Sequence, residues 1–125
     1  MKYLIVEDNP HNMVYAQYLL KKLGHENIAA TSGEEALDLL KTQKVYCMLV
    51  DINLGMGISG VEFCQEVKNQ KKHCCTPAIA VTAYALNKDK EKFIDAGFDD
   101  FIAKPYSFDD LKLALERNMV LEMAE

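Results

Sequence analysis

No apolar run in this chain approaches the ~18 residues that a membrane-spanning helix needs. The opening Met1-Lys2-Tyr3-Leu4-Ile5-Val6 is too short for the apolar core of a signal peptide before Glu7-Asp8 interrupts it. No membrane insertion and a cytoplasmic location are therefore expected. A basic surface is missing as well. The formal net charge is −5, and Lys71-Lys72-His73 is the only compact basic run, read as a solvated helix end. Direct nucleic-acid binding, which wants a basic patch against phosphates, is not expected. The four cysteines, Cys47, Cys64, Cys74 and Cys75, lack the CxxC spacing of a zinc or redox site. Cys47 and Cys64 fall in apolar patterns as small core residues, and adjacent Cys74-Cys75 is not read as a redox pair. Linkers, repeats and low-complexity stretches are absent too. The 125 residues are expected to form a single domain, 1–125, large enough to bury a core and leaving no room for an output domain.

What is present is ordinary globular composition, 50% hydrophobic and 26% charged, with an unusual arrangement of polar groups. The run Tyr3–Val6 ends in Glu7-Asp8, Tyr46–Val50 ends in Asp51, Ala78–Val81 ends in Thr82, and Phe101–Ala103 ends in Lys104-Pro105. A weaker strand is predicted over Asn27–Ala30. Helices are predicted between and after these strands. Pro10 suits a first turn, and Met13, Ala16, Leu20 and Leu23 recur at helical spacing before Gly24. Ser32-Gly33-Glu34-Glu35 reads as a capping box. A glycine-rich loop, 54–60, precedes a helix carrying Val61, Cys64 and Val67. Asn87–Ala96 forms a polar helix whose only large apolar residues are Phe93 and Ile94, and Ser107 caps the last helix. Five strands each followed by a helix imply a parallel α/β sheet, because parallel neighbours need crossover connections.

In an open parallel sheet the carboxyl ends of the strands line one edge, where ligands bind. Singly, each group there has a plain structural explanation: Asp8-Asn9-Pro10 as a helix cap, Lys104-Pro105 as a turn, Thr82 bonding local backbone. Together they are chemically complementary. Three nearby carboxylates raise one another's pKa values, and Mg²⁺ relieves that repulsion through its preference for oxygen ligands. A carboxylate is also a nucleophile toward phosphorus, giving an aspartyl phosphate. Phosphoryl transfer then needs positioning and charge neutralisation, which an ammonium, a hydroxyl and backbone amides supply.

Val6-Glu7-Asp8, Asp51, Val81-Thr82-Ala83 and Lys104-Pro105, in this order and spacing, resemble the receiver domain of two-component response regulators, the CheY-like family. The resemblance spans nearly the whole chain. It implies a flavodoxin-like doubly wound (βα)5 fold with a five-stranded parallel sheet in the order 2-1-3-4-5. It implies Asp51 as phosphoacceptor from a histidine kinase or histidine phosphotransfer protein. Mg²⁺ would be held by Glu7, Asp8, Asp51 and the backbone carbonyl of Asn53. Thr82 and Lys104 would hold the phosphoryl oxygens, and the Lys104-Pro105 peptide would be cis. Thr82 and Phe101 would form the switch, Phe101 turning inward and the surface of helix four, strand five and helix five changing, which would also serve a homodimer. Asn53 and Tyr84 would tune phosphate hydrolysis.

Two departures stand out. Gly55 replaces the proline usual in the loop after Asp51, and Gly60 falls one residue later than the pattern, so the loop is longer and richer in glycine. Glu7 stands where aspartate is commoner. Alternatives of other classes are a non-phosphorylated receiver-like interaction module, a dehalogenase-type phosphatase and a flavin-binding relative. Asn53 stands where that phosphatase wants a second aspartate, and no Ser/Thr-rich loop follows the first strand for a flavin phosphate.

Overall fold

The structure, a computed structural model, describes residues 2–83 and 87–123, side chains at 87–90 and 119–123 excepted. Tyr84 lies outside the described residues, as does the Met119 side chain. Strands β1 (Lys2–Val6), β2 (Glu26–Ala30), β3 (Cys47–Asp51), β4 (Ala78–Thr82) and β5 (Asp100–Ala103) alternate with helices α1 (Pro10–Lys22), α2 (Gly33–Leu40), α3 (Gly60–Lys68), α4 (Asn87–Asp95) and α5 (Phe108–Met123). All strand pairs are parallel, in the order β2-β1-β3-β4-β5. This is the predicted doubly wound architecture.

Side-chain alternation along the strands sorts the core onto two faces. Tyr3, Ile5, Leu49, Ile79 and Val81 pack with Met13, Leu20, Leu111 and Leu115 of α1 and α5. Leu4, Val6, Met48, Val50 and Ala80 pack with Leu40, Phe63, Val67 and Phe93 of α2, α3 and α4. The central strands β3 and β4 are buried at every position, which is why they read as unbroken apolar runs. Cys47 and Cys64 are core residues, as expected.

Several local expectations change. At Ser32 the capping box is shifted: Ser32 Oγ accepts from the Glu35 amide at 3.1 Å, but the Glu35 carboxylate accepts from Thr31 N–H rather than from Ser32. Reciprocal boxes form instead at Ser59–Glu62 and Ser107–Asp110. His73 is not part of a solvated helix end. Helix α3 stops at Lys68, and the imidazole is buried with Nε2 2.9 Å from the Leu40 carbonyl, while Lys71 and Lys72 are exposed. On α4, Phe93 is buried but Ile94 is half exposed, so a single large side chain anchors the described part of that helix. Among the described residues no helix is long and apolar enough to cross a membrane.

Candidate phosphoryl and metal site

The register brings the polar strand ends together. Val6 lies opposite Val50, so Glu7 is level with Asp51 at the ends of neighbouring strands. Asp51 lies opposite Val81 and Thr82 opposite Ala103, so Thr82 and Lys104 follow in steps along the same edge. The ladder continues past the strands through Glu7 N–H to Ala30 O (3.0 Å), Ile52 N–H to Val81 O (3.2 Å) and Lys104 N–H to Thr82 O (2.8 Å), which fixes the backbone under each functional side chain. The Lys104-Pro105 peptide is cis.

Lys104 Nζ lies 2.9 Å from Glu7 Oε1 and 3.2 Å from Asp51 Oδ2. The second Glu7 oxygen accepts from Asn9 N–H at 3.2 Å, and Asp51 Oδ1 accepts from Asn53 N–H at 3.1 Å. Glu7, Asp51 and Thr82 are buried, whereas Asp8 is exposed at the mouth. One oxygen from each of Glu7, Asp8 and Asp51 lies within 4.8 Å of the others. These groups, with Asn53, Thr82, Ala83, Gly55 and Lys104, line an open cleft of about 510 Å³.

Charge in the cleft is unbalanced. Burial holds the Glu7 carboxyl above the ordinary carboxylate range, the neighbouring Asp51 carboxyl adds to this, and the bonds from Lys104 and Asn9 only partly offset it. Burial works to lower the Lys104 pKa but is outweighed by Glu7 and Asp51, leaving the ammonium above its usual value and firmly charged. Three carboxylates against one ammonium leave negative charge to spare, on oxygen donors only. That donor set suits a hard divalent cation such as Mg²⁺, and the exposed Asp8 leaves room for the waters such an ion retains.

Of the residues singled out from the sequence, Glu7, Asp8, Asp51, Asn53, Thr82 and Lys104 share this cleft. Phe101 does not line it. Its ring is half-buried against the face that carries α2, α3 and α4, and it borders a separate cleft with Pro105, Leu113 and Arg117. Pro105 also lines a neighbouring hollow with Tyr15 and Tyr106.

The helix cap read at Asp8-Asn9-Pro10 is Asn9, whose side chain accepts from the His11 and Asn12 amides, but sequence reasoning missed that its own N–H holds Glu7. The Asn-Pro pair at a helix start was the available signal. It also missed Tyr15, whose hydroxyl donates to the Tyr106 carbonyl at 2.7 Å and ties α1 to the segment after Pro105. Burial, with Tyr15 and Glu7 nearby, pushes the Tyr106 hydroxyl up to about 12.

A family profile, response regulator receiver domain, matches residues 3–116. The chain belongs to that family. Among curated proteins, this receiver domain is similar to the polar-differentiation response regulator DivK of Brucella ovis and of Brucella suis. Identity is 38% over 104 residues in each case, covering 83% of this chain and 84% of the relative. Among solved structures it resembles a putative response regulator of Chloroflexus aurantiacus (TM-score 0.89, 27% identity, 95% and 97% of the two chains covered). It also resembles the receiver domain of a Pseudomonas aeruginosa sensor histidine kinase (TM-score 0.85, 32% identity, 93% and 94% covered), solved with a magnesium ion coordinated in its active-site cleft. The receiver domain is a module of two-component signalling, and this chain carries the fold over nearly its full length.

Proposed function

We propose that this receiver domain is a phosphorylatable switch in which Asp51 accepts a phosphoryl group from the phosphohistidine of a histidine kinase or histidine phosphotransfer protein. The observation that carries the reading is the Lys104 ammonium bonded to both Glu7 and Asp51 inside a cluster of three carboxylates. A lysine so placed neutralises charge beside the nucleophile and is within reach of a group attached to it.

Glu7, Asp8, Asp51 and the Asn53 carbonyl would hold Mg²⁺, which when bound supplies positive charge against the phosphoryl oxygens. The Pseudomonas relative, solved with a magnesium ion in its active-site cleft, supports a cation in this cleft. An Asp51 oxygen attacks phosphorus as the phosphorus–nitrogen bond to the donor imidazole breaks, and the imidazole leaves with that electron pair. Lys104 and the Thr82 hydroxyl donate to the phosphoryl oxygens. Charge-assisted bonds of this kind are about twice as strong as neutral ones. By the family resemblance, Asn53 and Tyr84 would tune the later hydrolysis of the acyl phosphate by water.

The output is a population shift. A phosphoryl group on Asp51 favours the arrangement in which Thr82 moves toward it, Phe101 turns inward and the α4–β5–α5 surface changes. A helix α4 held by one large buried side chain among those described, Phe93, suits an element that moves. The same surface would serve a homodimer, and a histidine kinase or phosphotransfer partner would imply a cytoplasmic location.

The test is to incubate the protein with acetyl phosphate and Mg²⁺, reduce the acyl phosphate with borohydride and map the product by peptide mass spectrometry. Conversion of residue 51 to homoserine is expected. Conversion at another carboxylate, or at none, would contradict the assignment.

A further inference from the structure

The loop from Asn53 to Ser59 borders the carboxylate cluster and contains Gly55 and Gly57, both at positive φ (74° and 80°). Such a loop has wide conformational freedom unless something outside it holds it. The holding group is on α2. The Glu34 carboxylate accepts from the Ile58 amide at 3.0 Å, across 24 residues of sequence. It also lies directly over Gly57, where a Cβ would meet Glu34 Oε1 at 2.6 Å and Oε2 at 2.7 Å. One residue earlier, a Cβ on Gly33 would meet Ile58 Cγ1 at 2.6 Å, so the isoleucine side chain is seated on bare backbone at the start of α2. The outgoing limb of the loop runs close beside the site itself: a Cβ on Gly55 would lie 3.0 Å from Asp8 Oδ2. Leu54 is buried in the core cluster that includes residues of α2 and α3, and Met56 at the tip is exposed.

From this geometry we infer that Glu34 is a positioning residue for the metal and phosphoryl site, clamping the β3–α3 loop so that Asn53 and Gly55 stay beside Asp8 and Asp51. The inference rests on the proposed function, since it concerns the affinity of that cleft for Mg²⁺. Glu34 does not line the cleft and acts through the loop. The neighbouring carboxylate, Glu35, is engaged with Thr31 N–H, and Glu62 with Ser59 N–H, so among these three acids Glu34 is the one that grips the loop tip. The clamp also accounts for the tolerance of a loop longer than the usual pattern: the extra residue and Gly57, which closes on Glu34, belong to one device.

The test compares wild type, Glu34→Gln and Glu34→Ala in three measurements: Mg²⁺ titration by calorimetry, amide hydrogen exchange at Ile58, and thermal unfolding without metal. Glu34→Ala is expected to weaken Mg²⁺ binding roughly tenfold, the lower end of what loss of an outer-shell partner does, and to speed exchange at Ile58. Glu34→Gln keeps an acceptor oxygen and is expected to restore most of both. Unchanged Mg²⁺ affinity in Glu34→Ala, alongside faster Ile58 exchange, would overturn the inference by showing a clamp without influence on the site. Unchanged exchange would overturn it by showing no clamp. If the wild type itself binds no Mg²⁺, the reading beneath the inference falls, and the inference with it. That outcome is told apart by the wild-type titration alone.

Discussion

Lys104 Nζ lies 2.9 Å from Glu7 Oε1, joining the segments that follow β5 and β1 across the two strands, β3 and β4, that separate them in the sheet. The same ammonium reaches Asp51 at 3.2 Å, so one side chain spans the functional edge and is the chief counter-charge for two buried carboxylates.

Replacing that ammonium should be costly in the absence of metal. Lys104→Ala leaves Glu7 and Asp51 facing each other without a cation, and the loss should be about 1–3 kcal/mol of stability, typical of a polar group left buried without its partner. Urea unfolding with and without Mg²⁺ checks this. The deficit should shrink when Mg²⁺ is added, and an equal deficit in both conditions would argue against a shared electrostatic site.

Glu7 gives a pH signature. Its carboxyl is held above the ordinary value of 4.5, chiefly by burial and then by Asp51. Between that ordinary value and the raised one the folded chain binds more protons than the unfolded chain, so the contribution to stability is fully present below 4.5 and is lost as pH rises through the folded value. Metal-free urea midpoints measured from acidic to neutral pH should therefore fall less steeply in Glu7→Gln than in wild type. Parallel curves would contradict the assignment.

Much of this was legible in the sequence because the central strands are buried on both faces and the functional groups sit where those runs stop. Strand β5 spans Asp100–Ala103, the bounds the sequence predicts around the run Phe101–Ala103, and β1 differs only because Lys2 pairs through its backbone with Glu26 while its side chain is half exposed. What could not be read depends on contacts distant along the chain. In sequence His73 reads as one more solvated basic residue, and it is the Leu40 carbonyl, 33 residues away, that gives its buried ring a partner. The reciprocal box expected at Ser32 is shifted because the Glu35 carboxylate bonds Thr31 N–H instead, while Glu34 is taken up by a loop 24 residues on. The role of Phe101 was likewise a matter of family resemblance, and its ring lies outside the cleft.

Gly60 should tolerate no side chain. A Cβ there would collide with the Asp51 carbonyl oxygen and lie 2.8 Å from Ile52 Cα, both backbone atoms that have little room to yield. Gly60→Ala should lower stability by about 1–3 kcal/mol, the usual range for overpacking. An unchanged denaturation midpoint would show that the β3–α3 junction is less tightly fixed than its geometry implies.

The cysteines should divide cleanly in reactivity. Cys74 and Cys75 are exposed, whereas Cys47 and Cys64 are buried and burial pushes the Cys64 thiol up to about 11. An aromatic disulfide reagent should titrate only the exposed pair in the native protein and all four cysteines in denaturant. A third thiol reacting under native conditions would place a weakness in the sheet core or in the packing of α3.

The most direct test of the phosphorylation account is intact mass after incubation with acetyl phosphate, for wild type and Asp51→Asn, with Mg²⁺ and with chelator. The account predicts a gain of one phosphoryl group in wild type with Mg²⁺ and in none of the other three samples. An adduct that persists in Asp51→Asn or without Mg²⁺, or no adduct where another receiver domain is labelled, would contradict it.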